Sequence, residues 1–355
     1  MFVVSKHRER GLTLVELLVV VAILGLLAVT VLPNIAANGE ARRGREAARL
    51  VSSFIAGAHA RAIGRREWAG FALIASGTAS YAAIDLVHTD VPPLYRGDRV
   101  PSLVTISGTG ATTRYVTWSN AELAYSGTVG VASGDLIRFG GGARWYELSA
   151  TPSAMVTGSV SFRLRGDMSN ATEDSGEQPH NTPWPAAASV PFEILSKPIR
   201  SGGLTNLPAD RAVDLYWSGY GPPSVSGSAA YMPFQVASSG TATAGATTSI
   251  LFDGTGRIRQ IQVQSGGAAP VRRTVTGSVF LLVGRVDRVA QPYNSAGGGG
   301  SGDDTKGANW QYPDSYWIAI DPFSGATKAA ECTVSATTVL DSQLWIRQSL
   351  AAGGG

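Results

Sequence analysis

Residues 11–32 read GLTLVELLVVVAILGLLAVTVL, and this stretch decides how the rest of the chain must be arranged. From Leu12 to Leu32 the only charge is Glu16. A helix over those 21 residues is about 31 Å long, which matches the hydrocarbon core of a bilayer. The run can therefore span a membrane. A cleaved secretory signal fits less well, because its apolar region is usually about 7–15 residues long and carries no carboxylate. An acidic side chain in a membrane helix costs about 2.5–3.5 kcal/mol on insertion scales, so Glu16 needs a partner or a path to the interface. A cut after Gly11 would create such a partner: a new α-amino group on Leu12, able to pair with a carboxylate of a neighbouring chain.

Working outward, residues 1–11 are polar and basic, with Lys6, Arg8 and Arg10. From Glu40 to Arg66 apolar residues fall at Ala47, Leu50, Val51, Phe54, Ile55, Ala58, Ala62 and Ile63, the spacing of an amphipathic helix that continues the apolar one. Its stripe should pack on a sheet. Its opposite face carries Arg42, Arg43, Arg45 and Arg49. That face reads as a solvated surface, or else as a contact for anionic lipid headgroups or acidic patches on neighbouring subunits. Basic residues on both sides of the apolar run leave its orientation undecided by charge.

The whole chain has 355 residues, 29 Lys and Arg against 26 Asp and Glu, and 43 Gly. Ten of the basic residues and only four acids lie in the first 66 positions, so the basic excess belongs to the N-terminal stalk. A basic nucleic-acid-binding head is not indicated. The single cysteine, Cys332, excludes an internal disulfide framework. After Trp68 the pattern changes to short β-like runs, among them FALIA at 71–75, YAAIDLV at 81–87, DLIRF at 135–139, VPFEIL at 190–195, AVDLYW at 212–217, SVFLLVG at 278–284 and YWIAID at 316–321. Polar or Gly/Ser/Pro-rich stretches near 165–190, 218–230, 237–248 and 293–314 read as surface loops. The fold class is α+β: a long N-terminal helix over 12–66, membrane-spanning in its first half and amphipathic in its second, then a mainly antiparallel β head over 67–355.

Gly11-Leu12-Thr13-Leu14-Val15-Glu16, after a short basic leader and before a long apolar run, resembles the prepilin signal of type IV pilins and type II secretion pseudopilins. The resemblance implies that residues 1–11 are a leader, that a prepilin peptidase cuts between Gly11 and Leu12 and methylates Leu12, and that Glu16 aids assembly with the neighbouring subunit. It also implies a single-pass protein of the bacterial inner membrane with its head in the periplasm, or in an extracytoplasmic filament after assembly. Its partners would be the peptidase, other pilins or pseudopilins, the inner-membrane assembly platform and membrane lipid, with no nucleic acid. In related filaments the stretch between a glycine and a proline placed like Gly25 and Pro33 partly unwinds; on the residues alone, a kink tolerated near a helix end is an equal reading. ARAIGRRE, ILFDGTGRIRQIQV and WIAIDPFSGATKAAE are similar to pieces of the GspH or FimT-like minor pseudopilins. A head over 67–355 is well above the size that resemblance implies, so insertions or a second β-unit are expected.

Enzymatic motifs are absent. His7, His59, His88 and His180 have no zinc spacing and no nucleophile at a recognisable distance, and His88-Thr89-Asp90 reads as an ordinary loop. The GxGxxG letters at Gly297, Gly299 and Gly302 neither follow a clear strand nor open a helix, so they are not a dinucleotide site. Asp303, Asp304, Asp314 and Asp321 could offer oxygen ligands to calcium but lack EF-hand spacing, and a solvated acidic loop is the plainer reading. Arg96-Gly97-Asp98 and Arg165-Gly166-Asp167 read as turns, and the head's tryptophans as core. The expected function is that of a structural, non-catalytic filament subunit, a minor component of a type II secretion pseudopilus or type IV pilus. The alternative is a pilin-anchored adhesin or binding module, including a DNA-uptake pilin.

Overall fold

The architecture comes from a computed structural model that describes residues 14–76, 81–97, 102–109, 113–119, 131, 134–140, 145–150, 159–167, 189–221, 232–234, 247–264, 271–273, 275, 277–289, 307–333 and 338–352. Helix α1 runs from Leu14 to Arg65 without interruption, through Gly25 and Pro33. It closes on Arg66, which takes the left-handed conformation (φ 56°) and donates its N–H to the Ile63 carbonyl at 3.2 Å. The amphipathic stripe is buried as its spacing requires: Ala47, Val51, Ile55, Ala58 and Ala62 are sealed, and Leu50 and Phe54 pack at the margin. Ile63, the last residue of the expected stripe, remains exposed.

The stripe lies on a twelve-stranded sheet whose pairings are all antiparallel. At its centre are β1 (Ala69–Ala75) and β2 (Ala82–Asp90); β13 (Thr247–Phe252), β14 (Ile258–Gln264) and β15 (Val271–Arg273) follow on one side. On the other side come β9 (Ile199–Asn206), β10 (Arg211–Asp214), β11 (Gly219–Tyr220), β12 (Met232–Pro233), β16 (Val279–Arg285), β17 (Tyr316–Ile320) and β18 (Thr327–Glu331). Alternation divides each strand between two faces. Phe71, Leu73, Ile250, Phe252, Leu281 and Ile318 meet the helix, whereas Phe280, Leu282, Trp317 and Ala319 point the other way. Because β16 and β17 are covered on both faces, FLLV and WIAI read as continuous apolar runs.

The far face has two covers. At one end, Trp310 and Ile346 pack on Phe280 and Trp317, brought there by the C-terminal helices α2 (Val339–Ser342) and α3 (Leu344–Ala352) and by a short turn at Asn309–Gln311. At the other end sits a closed six-stranded barrel, ordered β3 (Leu103–Thr109), β4 (Thr113–Ser119), β7 (Ser159–Asp167), β6 (Tyr146–Ala150), β5 (Leu136–Phe139), β8 (Ser189–Leu195). It has its own core of Val104, Val116, Ile137, Leu148 and Ile194. It seats on the sheet through Leu136 and Leu195 against Val91 and Leu251, flanked by Trp68 and Trp145. Arg272 reinforces the seat, donating to the Gly134 carbonyl and lying 3.8 Å from the Glu147 carboxylate. The chain leaves for the barrel after Asp90 and returns at Ile199, and these two residues are partners in the β2–β9 ladder.

Several sequence expectations need correction. Residues 218–221 are buried, Gly219 and Tyr220 as part of the sheet, and 307–310 are buried too, so neither stretch is wholly surface loop. The AVDLYW strand stops at Asp214, whose buried carboxylate accepts the N–H groups of Tyr216 and Trp217 and turns the chain. His88-Thr89-Asp90 is not a loop but the end of β2. Residues 168–188, 222–231, 235–246 and 290–306, which hold most of the expected loops and the GxGxxG letters, lie outside the described residues.

Candidate assembly segment and its junction with the head

Every described side chain of residues 14–26 is exposed, including Leu14, Val15, Leu17, Leu18, Ile23 and Leu26. A helix that is apolar all round is stable only when something beyond its own fold covers it. Among the described residues no helix is long and apolar enough to cross a membrane; side chains of the apolar run are described only as far as residue 26. Glu16 stands in the first turn of this segment, on its exposed surface. Gly11 and Leu12 lie outside the described residues, as does the side chain of Pro33. A methyl group on Gly25 would meet no atom within 4 Å, so Gly25 is not demanded by packing within the chain.

Where the helix reaches the head, it is fastened at two levels. Near its midpoint both carboxylate oxygens of Glu40 accept from Arg285 at 3.0 Å, and the Glu40 carbonyl accepts from Arg211 at 2.7 Å. Arg211, itself buried, continues to Asp314, which also takes Arg288 at 2.9 Å. Gly44 lets the helix touch this loop, for a Cβ there would stand 2.4 Å from the Asp314 carbonyl oxygen. Nearer its end, Arg61 and Arg65 both grip Asp90, at 3.0 and 2.8 Å, and Arg61 donates to Ser201 at 2.8 Å. Burial pushes the Asp90 carboxyl up, but hydrogen bonds from Ser201 and Arg65 and the charges of Arg61 and Arg65 outweigh it and hold the group below its ordinary range. Beside it His88 stacks on Phe54, with ring centroids 4.0 Å apart, and burial followed by the Arg61 charge lowers its pKa against the opposing pull of Asp90.

The arginine-bearing stalk is therefore only partly a solvated face. Arg43 reaches Asp210, Arg42 pairs along the helix with Glu46, and Arg61 and Arg65 serve the head, while Arg45 and Arg49 are exposed. His59 fits between two turns whose glycines have positive φ: Gly256 at +88°, between β13 and β14, and Gly325 at +68°, between β17 and β18. A Cβ on either would approach the imidazole within 2.5 Å. Asp253 and Asp321 shape these turns by accepting local backbone N–H groups. DGTGR and DPFSGA in the sequence signalled the turns, but nothing local signalled that both would enclose one helix residue.

The other candidate residues fall into structural roles. Asp314 is engaged by Arg211 and Arg288 and Asp321 caps its own turn, while Asp303 and Asp304 lie outside the described residues. Among the described residues no group of three or more His, Cys, Asp and Glu could hold a metal ion. Arg96 is tied to Glu193 at 2.7 Å, and Gly97 packs so tightly that a Cβ would meet Ser102 at 2.2 Å. Residues 6–32 match the family described as the prokaryotic N-terminal methylation motif. No curated protein matches the chain.

Proposed function

We infer from the matched motif, which is that of type IV pilins and pseudopilins, that this chain is a pilin-type structural subunit, processed by prepilin peptidase and assembled with other pilins through its N-terminal helix. The observation that carries this reading is the contrast along one continuous helix. Its described apolar residues at 14–26 are uncovered, whereas the stripe at 47–62 is sealed beneath the head. The first part is thus free to meet lipid before assembly and neighbouring helices afterwards. In our reading the run 12–32 anchors the precursor in the inner membrane with the head outside, and the peptidase removes residues 1–11 and methylates Leu12. A neighbour's Glu16 then pairs with the new α-amino group, since opposite charges desolvated in lipid hold helices in register. The chain would serve as a minor subunit of a type II secretion pseudopilus or type IV pilus, with no catalytic step of its own.

The test is expression with and without active prepilin peptidase, followed by N-terminal mass analysis. The expected product begins at a methylated Leu12, and Gly11→Ala keeps the leader. Glu16→Ala should be cleaved normally but be lost from sheared filaments. Wild-type chain that keeps residues 1–11 beside an active peptidase would overturn the processing, and Glu16→Ala present in filaments at wild-type level would overturn the role of Glu16.

A further inference from the structure

On the far face of the main sheet, beside the segment that joins β8 to β9, lies a cavity of about 90 Å³ lined by Thr89, Thr247, Ser249, Gln262, Lys197 and Arg200, with Ala72 and Pro198 completing the wall. Its floor is unusual for a buried sheet face. Where Leu251 continues the apolar contact with the barrel, Thr247 and Ser249 on the same face of β13 are hydroxyls, and Ser249 is paired in register with Gln262 of β14. Thr89 is 2% exposed and its Oγ1 has no hydrogen-bond partner. A buried hydroxyl left unpaired keeps its full desolvation penalty, so a ligand or water should satisfy it. The cations come from the return strand. Arg200 is the ladder partner of Thr89, and the backbone of Lys197 is fixed by donating to Asp135 at 2.9 Å. Among the described residues neither Lys197 nor Arg200 forms an ion pair. No carboxylate lines the cavity: Asp90, next along β2, is turned to Arg61 and Arg65 at the helix.

We propose that this cavity binds one oxyanion group, a carboxylate, sulfate or phosphate. A cavity of about 90 Å³ has room for one such group. Half-buried Lys197 and exposed Arg200 neutralise the charge from the rim, and the hydroxyls of Thr89, Thr247 and Ser249 supply neutral hydrogen bonds from the floor. The inference does not depend on filament assembly.

The full chain in neutral detergent would be titrated calorimetrically with glucuronate, inorganic sulfate, inorganic phosphate and, as a neutral control, glucose. Saturable, salt-sensitive binding of glucuronate, absent with glucose, is expected; the doubly substituted Lys197→Gln, Arg200→Gln chain should bind it about tenfold more weakly or worse. Amide-exchange protection at residues 89 and 247–249 on adding glucuronate gives a readout that needs no variant. Binding of phosphate or sulfate without glucuronate would equally support the oxyanion site and show that it selects a tetrahedral anion over a carboxylate. Heats no greater than those of glucose for all three anions, or equal affinity in the double variant, would show a water-filled cavity and overturn the site itself.

Discussion

Gly44 and Asp314 touch backbone to backbone, so closely that a Cβ on Gly44 would come within 2.4 Å of the Asp314 carbonyl oxygen. This contact sets the separation between helix and head, because Asp314 is itself held by Arg211 and Arg288 and cannot easily retreat. Helix propensity and packing pull in opposite directions here. Gly44→Ala should gain up to about 1 kcal/mol of helix propensity yet lose about 1–3 kcal/mol to overpacking. A net loss in urea stability is the expected result. Gly39→Ala, with no atom within 4 Å of the added carbon, should instead be neutral or stabilising. Equal effects at the two positions would mean that the close approach does not govern stability.

The Asp90–His88 corner should give stability two separate acid limbs. Folded His88 resists protonation because of burial and Arg61, so the unfolded chain takes up the proton first and stability declines as pH falls through about 6.5. Asp90 has a lowered pKa, so its contribution is complete above about pH 4 and is lost as pH drops through the depressed value. Urea midpoints measured from pH 8 to pH 3 should lose the upper limb in His88→Gln and the lower limb in Asp90→Asn. An unchanged profile in both variants would remove this assignment.

Cys332 is 1% exposed, and its thiol is pushed well above the ordinary range by burial first and then by the charges of Asp314 and Glu331. Its alkylation must await local opening. At pH 8 iodoacetamide should label it slower than a free thiol by about two orders of magnitude, and at the free-thiol rate in urea. Rapid labelling of the native chain would show that the C-terminal cover over Trp317 opens far more readily than its packing suggests.

The sequence pattern reached furthest where burial is periodic. Val51, Ile55 and Ala58 are spaced for one helix face, and that face is sealed; FLLV and WIAI are strands because their composition suits a doubly covered sheet. β9 escaped notice because IRSGGLTN has neither alternation nor an apolar run, and it is held by pairing with β2. Barrel closure escaped for another reason: β3 meets β8 only after the four intervening strands have wrapped round, and no local periodicity reports such a contact. Trp310 read as core, but the burial of its neighbours at 307–309, inside an expected surface loop, was hidden because their anchor is distant. Asn309 donates to Asp214 and accepts from the Arg285 N–H, partners far apart in the chain. At the candidate site, Glu16 was legible as a lone carboxylate among apolar residues, whereas the grip of Arg61 and Arg65 on Asp90 appears only once β2 lies beneath the helix.

The pairing of Asp90 with Ile199 makes the whole barrel the tip of a hairpin. A tip enters and leaves at neighbouring points, so its length adds only slowly to the closure entropy of the strands that carry it. A barrel added there requires no redesign of the layer that packs on the helix. Excising 91–198 for a tight turn should leave that layer's ladder registers intact and uncover mainly Trp68 and Leu251. Growth at such a tip lets the outward module vary in surface chemistry while the inward layer stays fixed.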